Sequence, residues 1–275
     1  MASEGFGNET FPWFWTHLSC ERKALDWRAD ASESDHAAGK RLETVGWEAR
    51  NLILSVFDER GEFLGREVRP FDLSVKPGTS TVDGRQLAEA AAPLGDVRRI
   101  STFNHGIEGS FIAQLPSEFL ARLTDLSMAF QMPSLEDVAS LSMAPMLVDL
   151  EAPLSDDHAS AVSGLQSLKS LKSYSGDVSD EFFRSLGPLP NLEILDISSL
   201  AVGDAAVEQL GKFPSLKLLR LFRTGVRERG VRLLPQVLPN SALVVGLPAD
   251  QSLDSAATEL QRVRPSLQVL RRSDW

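Results

Sequence analysis

The sequence has one cysteine, Cys20, in 275 residues. A single thiol excludes an internal disulfide and any cysteine-based zinc site, so stability has to come from packing. The four histidines, His17, His36, His105 and His158, are not spaced as metal ligands, and no His-Glu-x-x-His helix occurs. No Gly-x-Ser-x-Gly elbow is present. Gly39-Lys40 lacks the upstream glycine of a phosphate loop, and Gly5-Phe-Gly7 has no strand before it. No stretch approaches the roughly 18 consecutive apolar residues of a membrane span. The first residues have neither a basic start nor an apolar run, so no secretory signal is expected and a cytoplasmic location is the simplest reading. No cofactor is implied.

The net charge is −10, but it is unevenly spread. Residues 213–275 carry ten basic side chains against five acidic ones, so the acids dominate the rest. An acidic bulk repels phosphates and argues against a nucleic-acid partner.

What is abundant is leucine at a fixed interval. Leu168-Lys-Ser-Leu171-Lys-Ser173 is followed by Leu192-Glu-Ile-Leu195-Asp-Ile197, then by Leu216-Lys-Leu-Leu219-Arg-Leu221; the first leucines stand 24 residues apart each time. Such a period marks stacked units. Weaker copies align at Val97–Thr102, Leu123–Met128 and Leu147–Ala152. Leu243–Gly246 reads as a strand in slightly shifted register, and Arg264–Leu270 begins a truncated last copy. In one unit Leu192, Leu195 and Ile197 point inward, and the alternate residues point the other way. A turn follows, then a short helix for which Asp204 is the expected N-cap, stopped by Gly211 and Pro214. No unit can bury both its strand and its helix alone, so stacking is required.

The Leu-x-x-Leu-x-Leu strand followed by a turn and a short helix resembles the leucine-rich repeat family, in its short, helix-bearing bacterial form. The resemblance covers about residues 94–275. It implies an α/β solenoid with a parallel concave sheet and convex short helices, usually used to bind other proteins. The family's asparagine ladder is missing: its positions hold His105, Gln131, Ser155, Gly176, Leu200 and Thr224.

Residues 1–93 precede the repeats and read as a small α/β cap. They hold four of the five tryptophans, Trp13, Trp15, Trp27 and Trp47. Ala29–Lys40 reads as an exposed loop. Asn51–Phe57 and Glu62–Val68 read as a hairpin around Asp58–Gly61, ended by Pro70 and Pro77-Gly78. Gln86–Leu94 is an expected helix.

For chemistry, Asp156-Asp157-His158 reads as a helix N-terminus whose acids offset the helix dipole. Counting from the first leucine of each strand, the outward third positions are Arg99, Asp125, Asp149, Ser170, Ile194 and Leu218. The fifth are Ser101, Ser127, Glu151, Lys172, Asp196 and Arg220. Within this surface Tyr174, Ile194, Leu218, Arg220, Phe222 and Arg223 form an aromatic-plus-arginine group, the composition of an interface hot spot. The expected function is a non-enzymatic scaffold that binds a protein partner. Two alternatives stand beside it: an acidic immunity or adaptor protein that blocks a basic target, and an enzyme whose chemistry lies in residues 1–93, near His17 and His36.

Overall fold

A computed structural model describes residues 33–57, 63–75, 79, 83–94, 97–102, 110–128, 132–174, 177–240, 242–248 and 250–271, with backbone alone for 33–36, 50–72 and 271. The expectations at Trp13, Trp15, His17, Cys20, Trp27, His105, Gln131 and Gly176 lie outside the described residues.

The chain is α/β, with a ten-stranded sheet whose strands are neighbours in chain order. Helix α1 (Glu33–Thr44) leads into a hairpin, β1 (Trp47–Phe57) and β2 (Phe63–Val75). Helix α2 (Gly84–Ala91) follows, and then strand and helix alternate: β3 (Arg99–Ser101), α3 (Ser117–Leu120), β4 (Asp125–Ser127), α4 (Leu135–Ser140), β5 (Asp149–Glu151), α5 (Ala159–Ser163) and β6 (Ser170–Ser173). Next come α6 (Asp180–Ser185), β7 (Ile194–Ile197), α7 (Asp204–Val207), β8 (Leu218–Arg220), α8 (Glu228–Val237), β9 (Val244–Leu247), α9 (Asp254–Val263) and β10 (Gln268–Arg271). β1 and β2 are antiparallel; every later pairing is parallel.

The leucines explain why the strands stack. Leu126, Leu150, Leu171, Leu195 and Leu219 are directly paired across β4 to β8, and none is more than 2% exposed. They share one core with Val138, Phe182, Val207 and Val231 from the helices. Removing a row of side chains of this size from water supplies about 2 kcal/mol each. A backbone rung repeats beside each strand: the Val148 N–H donates to Thr124 O (2.8 Å), Lys169 to Val148 (2.9 Å), Glu193 to Lys169 (2.8 Å) and Lys217 to Glu193 (2.8 Å). The same rung continues from Leu243 to Lys217 and from Gln268 to Leu243, each at 2.8 Å. β9 pairs in step, Val244 with Leu218, but 26 residues further along the chain rather than 24, so the expected shift lies in the spacing and leaves the ladder unbroken.

Neighbouring units also satisfy each other's helix ends, where backbone groups have no partner in their own helix. The N–H groups of Ser179 and Phe182 donate to Asp156 Oδ1 (2.8 and 3.1 Å). Those of Gly203 and Ala206 donate to Asp180 Oδ1 (2.7 and 3.1 Å), and that of Arg227 to Asp204 Oδ1 (2.8 Å). At the other end of α6, Lys212 Nζ donates to the carbonyls of Phe183, Arg184 and Leu186. Arg264 does the same for Leu238 and Pro239 beyond α8.

Three local expectations are corrected. Asp204 is not the N-cap of α7: Gly203 takes that place, and the Asp204 carboxylate reaches forward to the next unit. Gly230 makes the reach possible, since a Cβ there would lie 2.4 Å from Asp204 Oδ1. Most of Ala29–Lys40 is not loop, because α1 begins at Glu33. Its small residues conceal an apolar face, with Ala38 and Leu42 one turn apart and fully buried. Pro70 does not end β2, which continues to Val75. The register slips between the pairs Arg50–Asp72 and Leu52–Arg69, so Pro70 sits at an irregularity where its missing N–H breaks no rung.

The hairpin and the later strands share one sheet, because β2 pairs with β3 through Asp72–Ser74. Trp47 is fully buried, its ring 6.0 Å from that of Phe111.

Candidate interaction face

Strand residues that alternate with the core leucines form the opposite face of the sheet. The pairings set them in two straight rows. One row runs Arg99, Asp125, Asp149, Ser170, Ile194, Leu218, Val244, Gln268. The other runs Ser101, Ser127, Glu151, Lys172, Asp196, Arg220, Gly246, Leu270. From β3 to β8 both rows have the membership expected from counting along each strand.

The first row changes character along its length. Its β4 and β5 members are acids. From β7 to β9 it is aliphatic: Ile194, Leu218 and Val244, with Leu270 from the second row, form a small apolar cluster separate from the main core. Leu218 is 5% and Val244 3% exposed, so Leu218 is largely covered by its own sheet rather than offered to a partner. Ile194 is half-buried.

The second row carries charge. Asp196 accepts hydrogen bonds on one oxygen, Oδ2, from Arg220 Nη1 (3.1 Å) and from the Tyr174 hydroxyl (3.2 Å). The Asp196–Arg220 ion pair is well shielded, with side chains 7% and 13% exposed. Lys172 Nζ lies 3.3 Å from Asp149 Oδ2, and Glu151 accepts from the Ser127 hydroxyl (3.3 Å). Burial raises the Asp196 carboxyl above the usual range; the Arg220 charge opposes this and is outweighed. The Tyr174 hydroxyl is likewise raised, first by burial and then by the charges of Asp196 and Glu151. It therefore acts as a neutral donor across ordinary pH.

Of the six residues expected to make contact, the structure ties Tyr174 and Arg220 together through Asp196, which sequence reasoning placed in the row but left out of the group. Tyr174 is half exposed, with its hydroxyl tethered and its ring presented. Phe222 lies over bare backbone: a Cβ at Gly246 would come 2.6 Å from its ring. Arg223 is exposed and has a φ of 54°, a left-handed backbone uncommon for a residue other than glycine. The turn is held by the Thr224 hydroxyl donating to Leu221 O (2.8 Å) and the Gly225 N–H to Val202 O (2.7 Å). Phe103, Asn104, Ala129 and Phe130, further along the same side, lie outside the described residues.

The histidine read as part of a helix start does serve there. His158 is buried, its Nδ1 3.0 Å from the Ser155 nitrogen and its Nε2 3.1 Å from Pro133 O. Both ring nitrogens are engaged in structure. Among the described residues there is no group of three or more His, Cys, Asp or Glu able to hold a metal ion, and no helix long and apolar enough to cross a membrane.

No protein-family model matches the chain, and no curated protein matches it. Among solved structures, it is similar to a protein from Bacteroides fragilis at 19% identity and a TM-score of 0.36. That match covers 65% of this chain and 66% of the other, just under two thirds of its length.

Proposed function

We propose that the protein is a non-enzymatic, cytoplasmic binding scaffold of the leucine-rich-repeat type, a solenoid that takes a protein partner on the sheet face away from its helices. The observation that carries the reading is Tyr174. Its ring stands half exposed in the middle of a broad, ordered face, and its hydroxyl is fixed by a buried ion pair. An aromatic side chain held in one orientation loses little freedom on binding, which is what makes such residues anchors. Ile194 and Phe222 add half-buried apolar surface, and Arg223 adds an exposed charge.

Affinity capture tests this with wild type against a Tyr174→Ala/Arg223→Ala variant. Both sites are exposed, so the fold should persist. A protein held by wild type should be depleted at least about tenfold by the variant. An Arg229→Ala control on the helix side should retain it. Equal retention by all three proteins would remove this face as the binding surface.

A further inference from the structure

Among the described residues from Lys212 to Arg264, every lysine and arginine side chain has a partner within the chain except those of Arg223 and Arg227. Lys212 and Arg264 donate to backbone carbonyls. Lys217, Arg220, Arg229, Arg232 and Arg262 pair with carboxylates. Arg223 and Arg227 are both exposed and stand in one turn, between β8 and α8. The carboxylates at this turn are engaged elsewhere: Glu228 accepts from Arg232, and Asp204 from the Arg227 N–H rather than from its side chain. The preceding turn, between β7 and α7, presents a different chemistry. Leu200 at its tip is 79% exposed, more than any other large apolar side chain among the described residues. That turn is pinned by the Val202 N–H donating to Ser199 O (3.1 Å) and the Ser199 hydroxyl donating to Val178 O (2.6 Å). The two turns touch through their backbones. The Gly225 N–H donates to Val202 O (2.7 Å), and a Cβ at Gly225 would lie 2.6 Å from Leu200 O. Tyr174, half exposed, follows β6 one strand further back.

We propose that this rim, at the C-terminal ends of β6 to β8, docks an extended acidic segment of another protein. An apolar side chain of that segment lies on Leu200 and Tyr174, and its flanking carboxylates meet Arg223 and Arg227. The inference rests on the reading of the open face as a protein-binding surface, with which the rim shares Tyr174 and Arg223, and it names the chemistry of the partner. A guanidinium matches a carboxylate with two parallel hydrogen bonds, and these two have no such acceptor in their own chain. The local charge favours an acid, since residues 213–275 carry ten basic side chains against five acidic ones. Exposed charges on the acidic remainder are screened beyond about 8 Å at physiological salt, so a short acidic segment meets mainly the basic end. A nucleic-acid chain is disfavoured, because its phosphates would extend over that acidic remainder. The apolar contact separates this rim from a bare cationic patch: Leu200 in water gains from an apolar side chain laid over it.

A random-peptide array that includes phosphoserine, probed with the full chain, tests the proposal. Bound peptides should be enriched in Asp or Glu beside a large apolar residue, and raised salt should weaken their binding. In fluorescence anisotropy with the strongest of these peptides, Arg223→Glu/Arg227→Glu should lose at least about tenfold in affinity. Leu200→Ser should lose about fivefold, through the apolar contact alone. Arg229→Glu/Arg262→Glu makes the same change in net charge on α8 and α9 and should bind as wild type does. Arg223 and Arg227 are exposed and make no side-chain bond among the described residues, so their double variant should keep the wild-type unfolding temperature. If it unfolds early, Arg227→Glu alone, away from the left-handed position, carries the test with a loss of about threefold. Bound peptides without acidic enrichment, no bound peptide at all, or phosphoserine selected in place of carboxylates overturns the proposal. So does a strongest peptide indifferent to both arginines. These failures differ from failure of the scaffold reading: a protein lost from Tyr174→Ala/Arg223→Ala in affinity capture, with no acidic peptide bound, keeps the open face as the binding surface and removes only the partner's chemistry.

Discussion

The units from Asp156 onward and those before it solve the same problem in opposite directions. In the later block an acid at the start of each helix reaches forward to the backbone of the next unit: Asp156, Asp180 and Asp204, 24 residues apart. In the earlier block Asp137 closes a capping box with Ser134 on its own helix and reaches back to Ser110 and to the Ala113 N–H. His158 also reaches back, to Pro133. The strands are indifferent to this change, since the leucine rows and the rung pattern run through both blocks. Only where the interval is constant can one residue type serve each junction in the same way. In the earlier block the same job is done by an aspartate that reaches backward, Asp137, and by a histidine, His158. Asp156 and His158, two residues apart, mark the changeover.

The comparison is broken most severely at Asp137. It is 1% exposed and accepts from the Ser110 hydroxyl, the Ala113 N–H, and both the N–H and hydroxyl of Ser134. Asp137→Ala should cost about 3 kcal/mol in urea unfolding, since four hydrogen bonds converge on this one buried carboxylate and all are lost together. Asp180→Ala removes two backbone contacts at a half-buried site and should cost about 2 kcal/mol. Asp204→Ala removes one exposed contact and should cost about 1 kcal/mol. Equal losses at the three sites would show that the irregular junction carries no more weight than the regular ones.

Much of this was legible in the sequence because a strand's alternation and a 24-residue interval together fix which residues share a row. From β6 to β8, where the interval is 24 residues, both outward rows follow from the period; elsewhere the leucine pattern of each strand has to be aligned by itself. What was not legible depended on partners in other units. Asp204 satisfies a local rule for an N-cap, yet its acceptor role is set by the Arg227 N–H in the next unit. Asp196 was passed over for the contact group because an acid in a row is unremarkable by itself; its importance comes from Tyr174 and Arg220 converging on one oxygen. The period did carry that signal, as it sets Lys172, Asp196 and Arg220 side by side. Helix α1 was missed for a compositional reason, since alanine and glycine bury a helix face without looking apolar.

The subtlest test contrasts the covered face, whose core positions are uncharged, with the open face, where Asp196 ionises in a shielded place. Its folded-state carboxyl is raised above the unfolded value, burial outweighing the help of Arg220. The folded chain therefore holds the Asp196 proton more tightly than the unfolded chain does. By linkage, the stability this group contributes is fully present at pH below its unfolded value and is lost as pH rises through the raised folded value. Asp196→Asn has nothing to titrate there. The wild-type unfolding free energy minus that of Asp196→Asn should thus decline with rising pH across that window and level off above it. Urea titrations of both proteins from pH 3.5 to 8 read the difference directly. A difference that grows with pH would mean that the Arg220 pairing outweighs burial, and that Tyr174 is tethered by a stabilising ion pair rather than by one that the fold tolerates.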